Sequence, residues 1–184
     1  MTSHTLARFD ASKDLADDCA FCKIIAGKSS AFVVYEDESN IAFLDILPLR
    51  PGHTLVIPKM HVQQLSHLEP GTAASLSNAL VQTTRAIGKA LGDERLQVIT
   101  NQIYAQLVPH SASDSKQQVH FHIVPAAMRP SKDDKTKKSA SSNPLAMMGL
   151  GHGREELDDE EAEELAKKIR EAAAQLKNGP SAKL

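Results

Sequence analysis

The most regular pattern in the chain is an alternation of apolar and polar residues between positions 118 and 125, which read QVHFHIVP. A period of two is typical of a half-buried β-strand, in which residues of one parity leave the same face of the sheet. The pattern therefore predicts a strand at 118–125 that presents His120 and His122 on one face, one strand step apart. Three interpretations are open for this pair: catalytic groups, half of a metal site, or incidental surface histidines.

The rest of the chain alternates between short apolar runs and longer amphipathic stretches. The short runs are bounded by proline or by turn-forming residues, and they predict one short helix at 19–26 and strands at 32–36, 41–44, 54–57 and 96–100. From Pro70 to Leu91 apolar residues recur every three to four positions, which predicts a helix that Gly92 ends. A second such stripe predicts a helix at 158–177, which Asp158 or Asp159 can cap. This order of elements indicates an α+β fold.

Composition divides the chain into a folded part and polar connecting parts. A serine- and lysine-rich stretch before the last helix has too little apolar surface to order itself. The last helix needs a surface to dock on, either the sheet or the partner in a dimer. We predict a flexible tail at 1–17, a domain at 18–126, a low-complexity linker at 127–157, a helix at 158–177 and a tail at 178–184.

Charge and apolar content narrow the class of protein. The chain has 184 residues, of which 41% are apolar, and a net charge of −2. This balance argues against a nucleic-acid or membrane surface, and no apolar run approaches the ~18 residues of a membrane span. The polar, acidic N-terminus is unlike a signal peptide. We therefore expect a cytoplasmic or nuclear protein, in which Cys19 and Cys22 are metal ligands or a redox pair.

Several motifs, in consistent order from residue 19 to residue 125, resemble the histidine triad family. Its signature is His-φ-His-φ-His-φ-φ, where φ is apolar, and 118–125 match it except that Gln118 stands at the first histidine. CAFCKIIAG at 19–27, AFLDI at 42–46 and PGHTLVIPKMH at 51–61 also match. The resemblance implies a mainly antiparallel five-stranded sheet with helices, to which the C-terminal helix is an addition. It also implies a homodimer that pairs across a helix and a strand.

The resemblance implies a nucleotide hydrolase that acts at the α-phosphate of purine nucleotide conjugates such as nucleoside phosphoramidates. His120 would attack phosphorus to form a nucleotidyl-histidine, and His122 would donate to the phosphate oxygens. Neutral imidazole is a nucleophile near pH 7, and its phosphorylated adduct hydrolyses readily. No organic cofactor is expected. The nucleotide contacts that the resemblance implies are Asp45 on the ribose, Ile24 and Phe43 at the base, and polar contacts from Asn101 and Gln106.

Some of these positions have simpler interpretations. Asp45 lies in a loop, where a carboxylate can equally cap the backbone. Ile24 and Phe43 are apolar residues next to predicted strands or helices, and plain core positions explain them nearly as well.

The resemblance also implies a structural zinc held by Cys19, Cys22, His61 and the first triad histidine. This chain departs from the family at the fourth ligand, because Gln118 occupies its place and an amide is a poor zinc ligand. The letters AQLVPH at 105–110 match the family's approach to the first histidine, so residues 111–118 are interpreted as an insertion that splits the motif. His110 completes the zinc site only if it folds back through that loop.

These departures leave other functions open. Gln118 is grouped with the catalytic histidines because its amide can hydrogen-bond a neighbouring imidazole. Leu107, however, stands where family members often carry a hydroxyl group near the leaving group. The alternatives are a catalytically impaired nucleotide-binding or scaffold protein on the same fold, and a metal-binding module.

Overall fold

The computed structural model describes residues 9–101, 118–126 and 156–178. Five strands and three α-helices make up the described part of the chain. The strands are β1 (Val33–Glu36), β2 (Asn40–Leu44), β3 (Thr54–Pro58), β4 (Leu96–Ile99) and β5 (Phe121–Pro125). The helices are α1 (Ala20–Ile25), α2 (Pro70–Leu91) and α3 (Asp159–Asn178), with a short 3₁₀ turn at Leu65–His67. None of the described helices combines the length and apolarity that a membrane span requires.

The five strands form one sheet in the order β1-β2-β3-β5-β4, and every neighbouring pair is antiparallel. The predicted fold class, an α+β fold around a five-stranded antiparallel sheet, is confirmed. The histidine strand β5 lies inside the sheet, where His122 pairs with Leu55 of β3 on one side and with Ile99 of β4 on the other. Its backbone is therefore held from both edges.

Apolar clusters cover both faces of the sheet. The larger one lies beneath α2 and α3, and its buried residues include Leu44, Val56, Leu76, Ile87, Ile123 and Ile169. The smaller one lies on the opposite face beneath α1 and consists of Ile41, Phe43, Leu55 and Ile57. Because Leu55 and His122 are paired neighbours on adjacent strands, the histidines share the α1 face.

The histidine strand begins later than predicted, at Phe121 rather than at residue 118. In the observed register Phe121 lies opposite Val56, so a longer strand would run alongside Pro58 at the end of β3. Proline has no N–H to donate to the ladder. The backbone N–H of Val119 donates instead to the carbonyl of Val62, at 2.7 Å.

The long helix α2 has the predicted bounds. Gly92 follows it with φ of +66°, a left-handed conformation that glycine adopts without steric cost, and its N–H returns to the last turn. Other predicted bounds differ by one or two residues. β2 begins at Asn40, β3 extends to Pro58, β4 ends at Ile99 and α3 extends to Asn178.

The last helix docks on the body of the same chain. Asp158 caps it, since its Oδ1 accepts the N–H groups of Glu160 and Glu161 at 3.0 and 3.1 Å. Ile169 is fully buried in the larger core. Arg170 Nη1 donates to the carbonyl of Val33 at 2.8 Å, which satisfies a backbone group on the open edge of β1.

The predicted tails and linker lie mainly outside the described residues, so the predicted domain boundaries stay predictions. The described part of the N-terminal stretch begins at Phe9, and there the carbonyl of Asp14 accepts the N–H of His61 at 2.7 Å. Before the last helix, the N–H of Leu157 donates to the carbonyl of Ile46 at 2.9 Å.

The docking of α3 predicts a specific pattern of stability. Replacing Ile169 with alanine should destabilise the protein by about 2–5 kcal/mol, because the substitution leaves a cavity in a close-packed core. Urea denaturation followed by circular dichroism measures this. Glu171→Ala, at an exposed position of the same helix, is the control and should leave the midpoint nearly unchanged. Equal midpoints for the two variants would show that α3 does not pack on the core.

Candidate functional site

His120 immediately precedes β5 and is buried, with 8% of its surface exposed. Its Nδ1 lies 2.7 Å from the carbonyl oxygen of Gln118. Because a carbonyl only accepts, we assign the proton of the neutral ring to Nδ1, which leaves the Nε2 lone pair available. Burial lowers the pKa of His120, and the hydrogen bond to Gln118 and the charge of Asp45 oppose this effect without cancelling it. The ring is therefore a neutral imidazole at pH 7.

Aromatic contacts fix the plane of the His120 ring. Phe21 of α1 meets it edge to face, with ring centroids 5.4 Å apart, and His122 does so at 4.8 Å. Phe21 also contacts Phe43 of β2, at 5.8 Å. On the main chain, the hydroxyl of Thr100 donates to the carbonyl of His120 at 2.9 Å. Side chain and backbone are thus both held before any ligand binds.

The second histidine of the strand is bonded to a third histidine, His53. The Nε2 of His53 lies 2.9 Å from the Nδ1 of His122. The N–H of Leu49 donates to His53 Nδ1 at 3.1 Å, so we assign the His53 proton to Nε2, from which it is donated to His122. His122 Nδ1 then accepts, and a neutral His122 carries its proton on Nε2. That N–H is the group it can offer to an anion.

Asp45 lies in the loop after β2, close to this histidine chain. Its Oδ1 accepts the N–H of Leu47 at 2.9 Å, the loop-capping role that was one interpretation of the residue. Its Oδ2 lies 3.3 Å from His53 Nδ1 and can pair with that ring when it is protonated. The carboxylate is partly exposed, so it remains accessible to a ligand.

The other predicted nucleotide contacts are spread over the α1 face and the end of β4. Phe43 is buried in the smaller core and Ile24 packs against it partly buried, so the core interpretation of both residues is satisfied. Asn101 is exposed just after β4. Gln106 lies outside the described residues.

Two surface cavities of the described part lie elsewhere. The cavity of about 510 Å³ lies between β1 and α3, and that of about 790 Å³ lies between α2, β4 and α3. Neither is lined by a histidine.

A second cluster of functional side chains lies beside the first. Cys19 and Cys22, at the start of α1, face His61 in the loop after β3, and their ligand atoms lie within 4.8 Å of one another. Cys22 Sγ is 3.3 Å from His61 Nδ1. Both cysteines are free thiols and buried. Burial lowers the pKa of His61, against a smaller opposing effect from Gln118, which favours the neutral ring that metals bind. These three residues can hold a metal ion.

Gln118 connects the two clusters. Its side chain is 3% exposed and points at Cys19 and Cys22, while its backbone carbonyl accepts the proton of His120. The prediction grouped this residue with the catalytic histidines. In the structure its backbone carbonyl is hydrogen-bonded to His120, and its amide oxygen faces the two cysteines. His110, the alternative ligand, lies outside the described residues.

Sequence reasoning missed two members of the site. His53 lies in the Pro-Gly-His turn of the PGHTLVIPKMH segment at 51–61, which was assigned no functional role, and Thr100 is only the end of a predicted strand. The sequence signal for this turn is Gly52. The residue has φ of +86°, and a Cβ there would lie 3.0 Å from a Leu91 methyl group, so the position favours glycine. A turn this constrained directs the residue after it into the sheet, where His53 meets His122.

Known proteins with similar sequences include two that are named as enzymes, an adenylylsulfatase and an adenosine 5'-monophosphoramidase. The chain is 35% identical over 120 residues to an adenylylsulfatase of Arabidopsis thaliana, a match that covers 64% of this chain and 57% of that protein. It is 36% identical over 109 residues to an adenosine 5'-monophosphoramidase of Schizosaccharomyces pombe, covering 58% of this chain and 73% of the relative. The match thus spans less than two thirds of the Arabidopsis protein.

Solved structures share the fold. A hypothetical histidine triad nucleotide-binding protein from Sulfolobus tokodaii is 31% identical and superposes with a TM-score of 0.64, covering 86% of this chain and 94% of its own. A zinc-bound histidine triad family protein from Mycobacterium smegmatis is 26% identical with a TM-score of 0.60, covering 92% of this chain and 99% of its own. The sequence profile of the HIT domain matches residues 26–128, more than half of the chain. The protein therefore belongs to the HIT domain family.

Proposed function

We propose that the protein hydrolyses purine nucleotide conjugates, such as adenosine phosphoramidates, at the α-phosphate through a nucleotidyl-histidine. The observation that supports this proposal most directly is the hydrogen bonding of the His120 ring. Its Nδ1 is engaged by a backbone carbonyl, so its Nε2 is the nucleophilic nitrogen. Relatives named as an adenylylsulfatase and an adenosine 5'-monophosphoramidase support a nucleotide of this class.

The reaction proceeds in two displacements at phosphorus. His120 Nε2 attacks the α-phosphorus, a P–Nε2 bond forms, and the leaving group departs with the electron pair of its own bond to phosphorus. Water then attacks the adduct, the P–Nε2 bond breaks, and a nucleoside monophosphate leaves while the imidazole returns to its neutral form. His122, aligned by His53, donates its N–H to a phosphate oxygen as charge develops.

We further propose that Cys19, Cys22 and His61 bind a structural zinc. Two thiols and an imidazole are a donor set that zinc prefers. They come from the start of α1 and from the loop after β3, so a bound ion would cross-link these two segments. The zinc-bound relative from Mycobacterium smegmatis supports the choice of metal.

A homodimer through α2 and β4 is the proposed assembly. β4 ends the sheet, and Val98 on it is 43% exposed. Val81 of α2 is 46% exposed and lies one turn before Arg85, which lines a surface groove together with Leu96 of β4. An open strand edge beside exposed apolar side chains is a surface that a second copy would cover.

The first prediction concerns the nucleophile. His120→Ala should abolish hydrolysis of adenosine phosphoramidate while leaving binding of adenosine monophosphate largely intact, because losing a nucleophile removes transition-state stabilisation rather than uniform binding. Steady-state kinetics and calorimetry measure the two effects. Intact-mass spectrometry of the wild type should detect the nucleotidyl adduct, and His120→Ala should lack it.

His67→Ala is the matched control, since His67 is an exposed histidine on the 3₁₀ turn, and it should behave as wild type. Unchanged turnover in His120→Ala would contradict the assignment. Tight nucleotide binding by a wild-type protein that forms no adduct and does not turn over would instead favour the nucleotide-binding or scaffold function.

The second prediction concerns the ribose contact. Asp45→Asn should weaken adenosine monophosphate binding by about 1–3 kcal/mol, the usual effect of losing a hydrogen bond to a charged group. Asparagine keeps an oxygen that can accept the N–H of Leu47, so the loop is preserved. Calorimetry with 2'-deoxyadenosine monophosphate provides the second arm, because this ligand lacks one hydroxyl. If the wild type and Asp45→Asn bind adenosine monophosphate with equal affinity, Asp45 is a loop residue only.

The third prediction concerns assembly. Val98→Lys should shift the protein from dimer to monomer in analytical ultracentrifugation, because a charge at the centre of an apolar contact is costly to bury. Ser29→Lys, which adds the same charge at an exposed position outside α2 and β4, supplies the control. A wild-type protein that sediments as a monomer would refute the proposed dimer.

A further inference from the structure

We propose that the side-chain oxygen of Gln118 is the fourth protein ligand of the metal bound at Cys19, Cys22 and His61. The site would then hold two sulfurs, one nitrogen and one oxygen. This inference rests on the proposed zinc site and identifies the ligand that the family pattern does not supply in this chain.

The first support is the position of the amide. Oε1 of Gln118 lies 3.5 Å from Cys19 Sγ and 3.6 Å from Cys22 Sγ. One buried oxygen therefore faces both thiols of the cluster, and Cys22 in turn lies 3.3 Å from His61 Nδ1.

The second support is the orientation of the amide, which its surroundings fix. The nitrogen Nε2 donates to the carbonyl of Pro58 at 2.6 Å, with the carbonyl of Met60 at 3.4 Å. A flipped amide would turn its oxygen toward these two carbonyls, and oxygens that only accept hydrogen bonds repel one another. The two carbonyls thus direct Oε1 at the thiols.

The third support is the spacing of the donor atoms. Zn–S bonds of about 2.3 Å and Zn–N or Zn–O bonds of about 2.0–2.1 Å place a sulfur and a lighter ligand about 3.5 Å apart around a tetrahedral ion. The separations of 3.5 and 3.6 Å from Gln118 and of 3.3 Å between Cys22 and His61 agree with this value.

His61 adds a further observation. Its Nδ1 faces Cys22, while its Nε2 is buried and has no hydrogen-bond partner among the described residues. The nitrogen that faces the thiols is therefore the one that would bind the ion. The other nitrogen, Nε2, would then carry the ring proton, which leaves the Nδ1 lone pair available to the metal.

The ligand set predicts the strength of the site. An amide oxygen is a harder and weaker ligand for zinc than an imidazole nitrogen, so this site should bind zinc less tightly than one with histidine at position 118. Its zinc affinity should nonetheless exceed that of a site with three protein ligands and water, because the protein already holds the oxygen in place.

The experiment compares four full-length proteins: wild type, Gln118→Ala, Gln118→His and His110→Ala. Zinc content is measured by elemental analysis, and zinc affinity by competition with a chromophoric chelator. Removing a residue that only orients a ligand typically costs about 10–100-fold in metal affinity, so Gln118→Ala should lose at least this much. His110→Ala should keep the wild-type affinity, and Gln118→His should exceed it.

The cobalt-substituted proteins provide a second readout, which does not depend on Gln118→Ala folding normally. If position 118 supplies a ligand, the visible d–d bands of cobalt should differ between wild type and Gln118→His, because an oxygen is replaced by a nitrogen. Identical spectra would overturn the inference.

The remaining outcomes separate the inference from the proposal beneath it. Zinc lost in His110→Ala but kept in Gln118→Ala would assign the ligand to His110 and leave the zinc site standing. Equal affinity in all four proteins would mean that three residues hold the ion. A wild type that binds neither zinc nor cobalt would refute the zinc site and the inference together.

Discussion

The candidate site depends on the position of β5, which is hydrogen-bonded on both edges and buried on one face. Ile123 belongs to the fully buried core beneath α2 and α3. A slip of one residue would exchange the two faces of the strand and place His122 in that core. Because the alternate residues that include Ile123 must stay buried, the other set is held on the opposite face. His120 and His122 therefore face α1 with little freedom to move. Such rigidity is what a nucleophile and a phosphate donor require.

Gln118 connects this strand to the cluster formed by Cys19, Cys22 and His61. Its side chain lies among the cysteines, and its carbonyl sets the tautomer of His120. α1 makes a parallel connection, since Cys19 and Cys22 flank Phe21, whose ring packs against His120. The cysteine cluster and His120 thus share two structural supports. A change that displaces either support should affect both clusters, although their chemistry is separate.

The secondary structure could be predicted in large part from periodicity, because each element has a burial pattern that its sequence must match. α2 follows its stripe from Pro70 to Leu91, and the strands agree to within three residues at their ends. The largest error, the start of β5, arose from Pro58, a neighbour that is distant along the chain. Pro58 cannot donate to the ladder, and no pattern within residues 118–125 records which strand lies beside them.

The sequence by itself determined the fold class, the pairing of His120 with His122 on one face, and the grouping of Cys19 and Cys22. The fold class follows from the order of the elements along the chain, and the other two follow from spacing within a single strand or helix. Only the tertiary structure decided that His53 aligns His122, that Thr100 supports His120, and that the amide of Gln118 faces the cysteines. Each of these contacts joins segments separated by 20 residues or more. Their geometry is set by strand order and register, which local patterns do not encode.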